Sequence, residues 1–100
     1  MARLVWTTRA KSELHDIRRH IARGSPQQAA RFVERVGAAV ERLTIFPRSG
    51  RLVPDDEAAE YREIFVQHYR VMYRVNGDDV EIAAIIHGAR HLTDLPDPQE

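Results

Sequence analysis

One hundred residues, 43% of them hydrophobic, suffice for one domain with a modest core. No apolar run approaches the ~20 residues of a membrane-spanning helix, and the lack of cysteine excludes a disulfide framework, a thiol nucleophile and a Cys-ligated metal. The formal charge is zero, yet residues 1–53 carry eleven Lys/Arg against four Asp/Glu and residues 54–100 carry four against eleven. A basic half suits nucleic acid or an acidic partner, unless the two halves fold together and interleave their charges. Fourteen of the fifteen basic residues are Arg, the side chain fitted to bidentate recognition of carboxylate or phosphate. The opening MARLVWTTRAKSEL does not read as a signal peptide, because its apolar run stops at Trp6. A cytoplasmic protein that does not enter a membrane is expected.

Residues 3–7, RLVWT, predict a short first strand. A helix is predicted from Arg9 to Arg23, with Ala10, Leu14, Ile17 and Ile21 on one face. Gly24-Ser25-Pro26 then breaks and restarts the chain. Gly24 fits the residue beyond the first helix, Ser25 the N-cap of the second, Pro26 its first position and Gln28 the third place of a capping box. The second helix is predicted from Pro26 to Ile45, burying Ala29, Phe32, Val33, Val36, Val40 and Leu43. Gly37 in its middle is expected to let the first helix approach. Phe46-Pro47 ends it, reading as core and turn. Residues 47–60 lack periodicity and read as a loop. Strands are predicted at Tyr61–Val66, Arg70–Val75 and Val80–His87, with Asn76-Gly77 as a hairpin turn. The last strand is apolar on both faces through Ala83–Ile86 and reads as central. The tail, above all residues 96–100, is expected to fray.

The order is β-αα-βββ in a single domain over residues 1–100, with helices and strands segregated, so the class is α+β. A two-helix hairpin should cover one face of a small twisted sheet. Val71, Tyr73 and Val75 alternate toward that cover, which leaves Arg70 and Arg74 on the opposite, uncovered face.

Chemistry must come from these strands. His15 and His20 are five apart, and Gly88 separates His87 from His91, so no metal site is expected. There is no glycine-rich phosphate loop and no GxSxG elbow. Arg62, Arg70, Arg74, His87 and Arg90 remain as cationic or titratable groups on or beside the last three strands. Clustered, they would bind phosphate and move protons. Alternatively, each Arg pairs with one of Glu60, Glu63 or Glu81 and serves the fold.

The segments SPQQAARF (25–32), FPRSGRLVP (46–54), YREIFVQHYRVMYRV (61–75) and IIHGARHL (85–92), in this order, resemble the RelE/ParE superfamily of type II toxin–antitoxin toxins. The resemblance spans residues 3–92 and implies a two-helix hairpin on a small twisted antiparallel sheet, with the N-terminal strand at its edge. RelE-like members cut mRNA in the ribosome, whereas ParE-like members inhibit DNA gyrase without catalysis. Both kinds are neutralised by an antitoxin. The ribonuclease branch would use Arg62, Arg70 and Arg90, with His87 or His91 replacing the absent C-terminal Tyr as proton carrier. FPRSGR, YREI and HGAR look more like the ParE branch, which implies no cofactor. In that branch Arg70, Arg74, Arg90, His91 and Leu92 are the candidate contacts to antitoxin or gyrase. A degenerate, non-toxic interaction module is a further alternative.

Overall fold

Ser25 serves two helices at once. A computed structural model of the chain describes residues 1–54 and 56–88, with Ser25 between α1, Thr8–Gly24, and α2, Pro26–Arg42. Its N–H donates to Ile21 O at 2.9 Å and closes α1; its Oγ accepts from Gln28 N at 3.2 Å and opens α2. The predicted capping box is half made, because the N–H that Gln28 would accept is already used. Gly24 is the last residue of α1, not a left-handed residue beyond it. α2 stops at Arg42 rather than Ile45. Leu43, Thr44 and Ile45 bond to carbonyls three residues back, which tightens the chain out of the α-helix.

Five strands form one sheet: β1 Arg3–Trp6, β2 Arg51–Leu52, β3 Arg62–Val66, β4 Tyr69–Asn76 and β5 Asp79–His87, in the order β1-β5-β4-β3-β2. The sheet is mixed, not wholly antiparallel. β1 runs parallel to β5, with Leu4 opposite Val80, and the other pairs are antiparallel. The helix hairpin between β1 and the rest supplies the long crossover that a parallel pair needs. β1 is at an edge, as the resemblance implies, and β5 is interior. β2 lies within the predicted loop and is too short to leave a period. The β4–β5 turn is Gly77-Asp78, one residue later than predicted: Asn76 pairs with Asp79, and Gly77 takes φ +60°.

The helices cover one face. Phe32, Val36 and Val40 of α2 meet Val71, Tyr73, Ile82 and Ile85 there. The opposite face is not open. Val53, Tyr61, Met72, Ala83, Ala84 and Ile86 bury a second, smaller cluster on it. A β-bulge makes this possible. Opposite Met72 and Tyr73 the register skips a residue of β5, so Ala83 and Ala84 both join the second cluster. The Asp56 carboxylate accepts from the N–H groups of Ala58, Glu60 and Tyr61 and fixes the loop that brings in Val53 and Tyr61.

α1 is tied to the bulge. Thr7 caps α1 by accepting from Ala10 N at 3.1 Å, and its hydroxyl lies 3.0 Å from the carbonyls of both Ile82 and Ala83. Glu13 accepts from Ile85 N at 3.0 Å, where β1 no longer reaches β5. The charge asymmetry is partly cancelled, since Arg3 pairs with Asp79 and Arg51 with Glu63 across the two halves.

Gly37 does not serve helix approach. It is exposed, and a Cβ built there would meet nothing within 4 Å. Gly37→Ala should therefore stabilise the protein by about 1 kcal/mol in urea unfolding, through helix propensity alone. A loss of stability would show that the position carries a packing role.

Candidate functional site

Alternation along the strands decides which candidate groups meet. On β3, Ile64 and Val66 join the helix-side core, so Arg62 lies on the helix-side face while Glu63 and Phe65 lie on the other. On β4, Tyr69, Val71, Tyr73 and Val75 face the helices, and Arg70, Met72 and Arg74 face away. His87 stands against the Tyr69 ring, centroids 5.8 Å apart, on the helix-side face. The sheet thus sends Arg62 and His87 to one face and Arg70 and Arg74 to the other. Arg62 is opposite Tyr73 and His87 opposite Tyr69. Those positions are four residues apart on β4, roughly 13 Å. Arg90, His91 and Leu92 lie outside the described residues.

Arg70 is on the predicted face but does not project into open space there. Its side chain is 7% exposed, and Nε and Nη2 reach Glu63 Oε1 at 2.7 and 2.6 Å. Glu63 has no side-chain exposure at all, and its other oxygen receives Arg51 at 2.6 Å. The physical reason is the cross-strand register. Glu63 is paired with Met72 on β3–β4 and with Arg51 on β2–β3, so arginines from both neighbouring strands converge on one carboxylate. A buried carboxylate is tolerable only when its charge and lone pairs are met. Arg51 is more than half exposed, and its guanidinium lies 5.3 Å from the centre of the Phe65 ring.

Arg74 is also engaged, to Glu81 at 2.9 Å and more loosely to Glu60 at 3.9 Å. The alternative in which these arginines pair with Glu60, Glu63 and Glu81 is the one the geometry realises for Arg70 and Arg74. Arg62 differs: its Nη1 donates to the carbonyls of Arg48 and Gly50 at 3.2 and 2.9 Å. Among the described residues it meets no carboxylate. Arg48, Glu60, Arg62 and Arg74 border one cleft of about 290 Å³.

Tyr73 organises the chain between α2 and β2. Its Oη donates to Pro47 O at 2.8 Å and accepts from Gly50 N at 2.9 Å. A Cβ on Gly50 would come within 2.6 Å of that oxygen, so only glycine fits there. Two residues differ from the sequence reading. Glu63 is named there as one of three possible arginine partners, but its burial gave no sign, because burial here depends on register. Phe46, read as core, is 58% exposed. The described residues hold no His/Asp/Glu cluster suited to a metal, and no described helix is long and apolar enough to cross a membrane.

A helix hairpin on a five-stranded mixed sheet is the architecture of the small RelE/ParE toxins. The match to solved structures is one of fold. A chain of the chromosomal ParDE toxin–antitoxin system from P. aeruginosa superposes with TM-score 0.72 at 24% identity, covering 87% of this chain and 96% of that one. A chain of the RelBE2 toxin–antitoxin complex from Mycobacterium tuberculosis gives TM-score 0.58 at 24% identity, covering 86% and 96%. Sequence places the chain more narrowly. Residues 4–92 match the family model described as ParE toxin of type II toxin-antitoxin system, parDE. Toxin RelE2 of Caulobacter vibrioides is 38% identical over 91 residues, covering 90% of this chain and 99% of the relative. Putative toxin Y4kP of Sinorhizobium fredii is 37% identical over 87 residues, covering 85% and 86%. Toxin ParE3 of C. vibrioides is 30% identical over 93 residues, covering 92% of each. The chain belongs to the ParE toxin family of type II toxin–antitoxin systems.

Two outcomes follow from the site. Arg70→Ala would leave the Glu63 charge buried with one partner and should cost about 3–5 kcal/mol in denaturant unfolding. The joint replacement of Glu63→Leu and Arg70→Met should recover stability to within about 1 kcal/mol of the starting protein, or exceed it. An Arg70→Ala protein as stable as the parent would contradict the buried pairing.

The second concerns alkaline pH. Burial pushes the Tyr73 phenol above its ordinary value, against the opposing Gly50 N–H and Arg62 charge; burial likewise raises Tyr61. The folded state therefore holds these protons more tightly than the unfolded chain. Stability from this source is intact below pH ~10 and should fall as pH rises beyond it. Absorbance titration at 295 nm should show phenols ionising above the ordinary range, with their titration coinciding with loss of structure. Three phenols ionising near pH 10 with no loss of structure would contradict it.

Proposed function

We propose that this toxin acts in the cytoplasm by binding DNA gyrase, without catalysis of its own, and that a cognate antitoxin neutralises it. The observation that supports the non-catalytic reading is the dispersal of Arg62, Arg70 and His87, the candidate ribonuclease groups among the described residues. Phosphodiester cleavage needs a base or acid and charge-stabilising cations within about 3 Å of the reacting atoms. Here Arg62 and His87 lie apart along the helix-side face, and Arg70 is on the opposite face, neutralised by Glu63. The antitoxin is supported by the fold neighbours, which come from toxin–antitoxin systems. The family model, named for parDE, favours the gyrase branch through the resemblance.

The purified chain should inhibit gyrase supercoiling and stabilise cleaved DNA, and added antitoxin should reverse both effects. Cleavage of translated mRNA at the ribosomal A site, with supercoiling untouched, would establish the ribonuclease branch instead. Induction that leaves growth unchanged without the antitoxin would point to the non-toxic module.

A further inference from the structure

The turn after α2 presents apolar side chains that the fold does not use. Ile45 and Phe46 are 59% and 58% exposed and adjacent in sequence. Phe46, Pro47 and Val75 line an open groove of about 740 Å³, with Arg42 and Arg48 among its other walls. Among the described residues neither arginine has a carboxylate within ion-pair distance. Among the described residues no acidic one lines the groove. Its walls are held in place: Tyr73 fixes Pro47 and Gly50 through two hydrogen bonds, and Gly77 closes the far side in a turn that requires its positive φ. Such a surface binds without first ordering a loop.

Charge selects the occupant. The two helices carry eight Lys/Arg against four acids, and Arg42 lies at the end of this basic element. An acidic polypeptide with a bulky apolar residue satisfies both features: its side chain seats against Phe46, Pro47 and Val75, and flanking carboxylates meet Arg42 and Arg48. Single-stranded nucleic acid fits less well. Its bases need aromatic faces on which to stack, and the groove lining offers one ring, Phe46, beside the aliphatic Pro47 and Val75.

We propose that the groove of Arg42, Phe46, Pro47, Arg48 and Val75 is a docking site for an acidic segment of the cognate antitoxin, anchored by one bulky apolar side chain. This rests on the antitoxin partnership stated above and adds the place and chemistry of contact. The test measures calorimetric Kd of the purified antitoxin for the full-length toxin and for Phe46→Ala and Arg48→Glu. Each substitution should weaken binding by at least about tenfold, as loss of a binding anchor does. The Arg48→Glu loss should shrink in high salt. Both residues are exposed, so thermal midpoints should match the parent and separate lost contact from lost fold.

Unchanged affinity for both variants would overturn the groove assignment alone. A parent toxin that binds no antitoxin would overturn the partnership and this proposal with it. Gyrase inhibition by the parent is scored separately, so its absence counts against the target reading and leaves the groove result standing. Phe46→Ala that keeps antitoxin affinity but loses gyrase inhibition would assign the groove to the target and overturn the proposal. A labelled single-stranded oligonucleotide that binds the parent but not Arg48→Glu, with antitoxin affinity unchanged, would likewise overturn it.

Discussion

A carboxylate with no exposure to water must be answered by cations, and Glu63 is answered from both sides. Arg51 reaches it from β2 and Arg70 from β4, so a single charge spans three strands. The desolvation of such a group is large enough that either arginine acts first as a structural counter-ion. The far face of the sheet is organised around this: Met72, Ala83, Ala84 and Ile86 form an apolar cluster, with a paired charge beside it rather than an open basic surface. The same pairing commits the Arg70 guanidinium to Glu63.

Much of the fold is legible in the sequence because it rests on local rules. The Ser25-Pro26 restart, the buried stripe of α2 and the alternation of Val71, Tyr73 and Val75 follow from capping chemistry and from the periods of helix and strand. What was not legible depends on pairing between distant segments. The parallel partnership of β1 and β5 and the two-residue β2 leave no period of their own. The bulge at Ala83–Ala84 is hidden for a related reason. The run looked apolar on both faces, and one skipped register position decides that both alanines share a face.

The site divides along the same line. Alternation correctly put Arg70 and Arg74 opposite the helices, but exposure cannot be read from alternation. It required knowing that Glu63 and Glu81 would stand within reach. Phe46 failed in the other direction. A Phe before Pro at a helix end resembles a core residue, yet the early tightening at Leu43–Ile45 turns its ring outward. The proposed antitoxin contact therefore lies at the α2–β2 turn, where Tyr73 and Gly50 hold the chain and where, among the described residues, Arg42 and Arg48 meet no carboxylate.

The central claim is that Arg70 serves as counter-ion to the buried Glu63 carboxylate rather than as a group that acts on the target. It is tested most directly by measuring gyrase inhibition with the protein in which Glu63 and Arg70 are replaced together by Leu and Met. A folded variant that inhibits supercoiling as the parent does is the expected result. A variant that is equally stable but has lost all inhibition would show that the Arg70 guanidinium acts on the target, and would contradict the account.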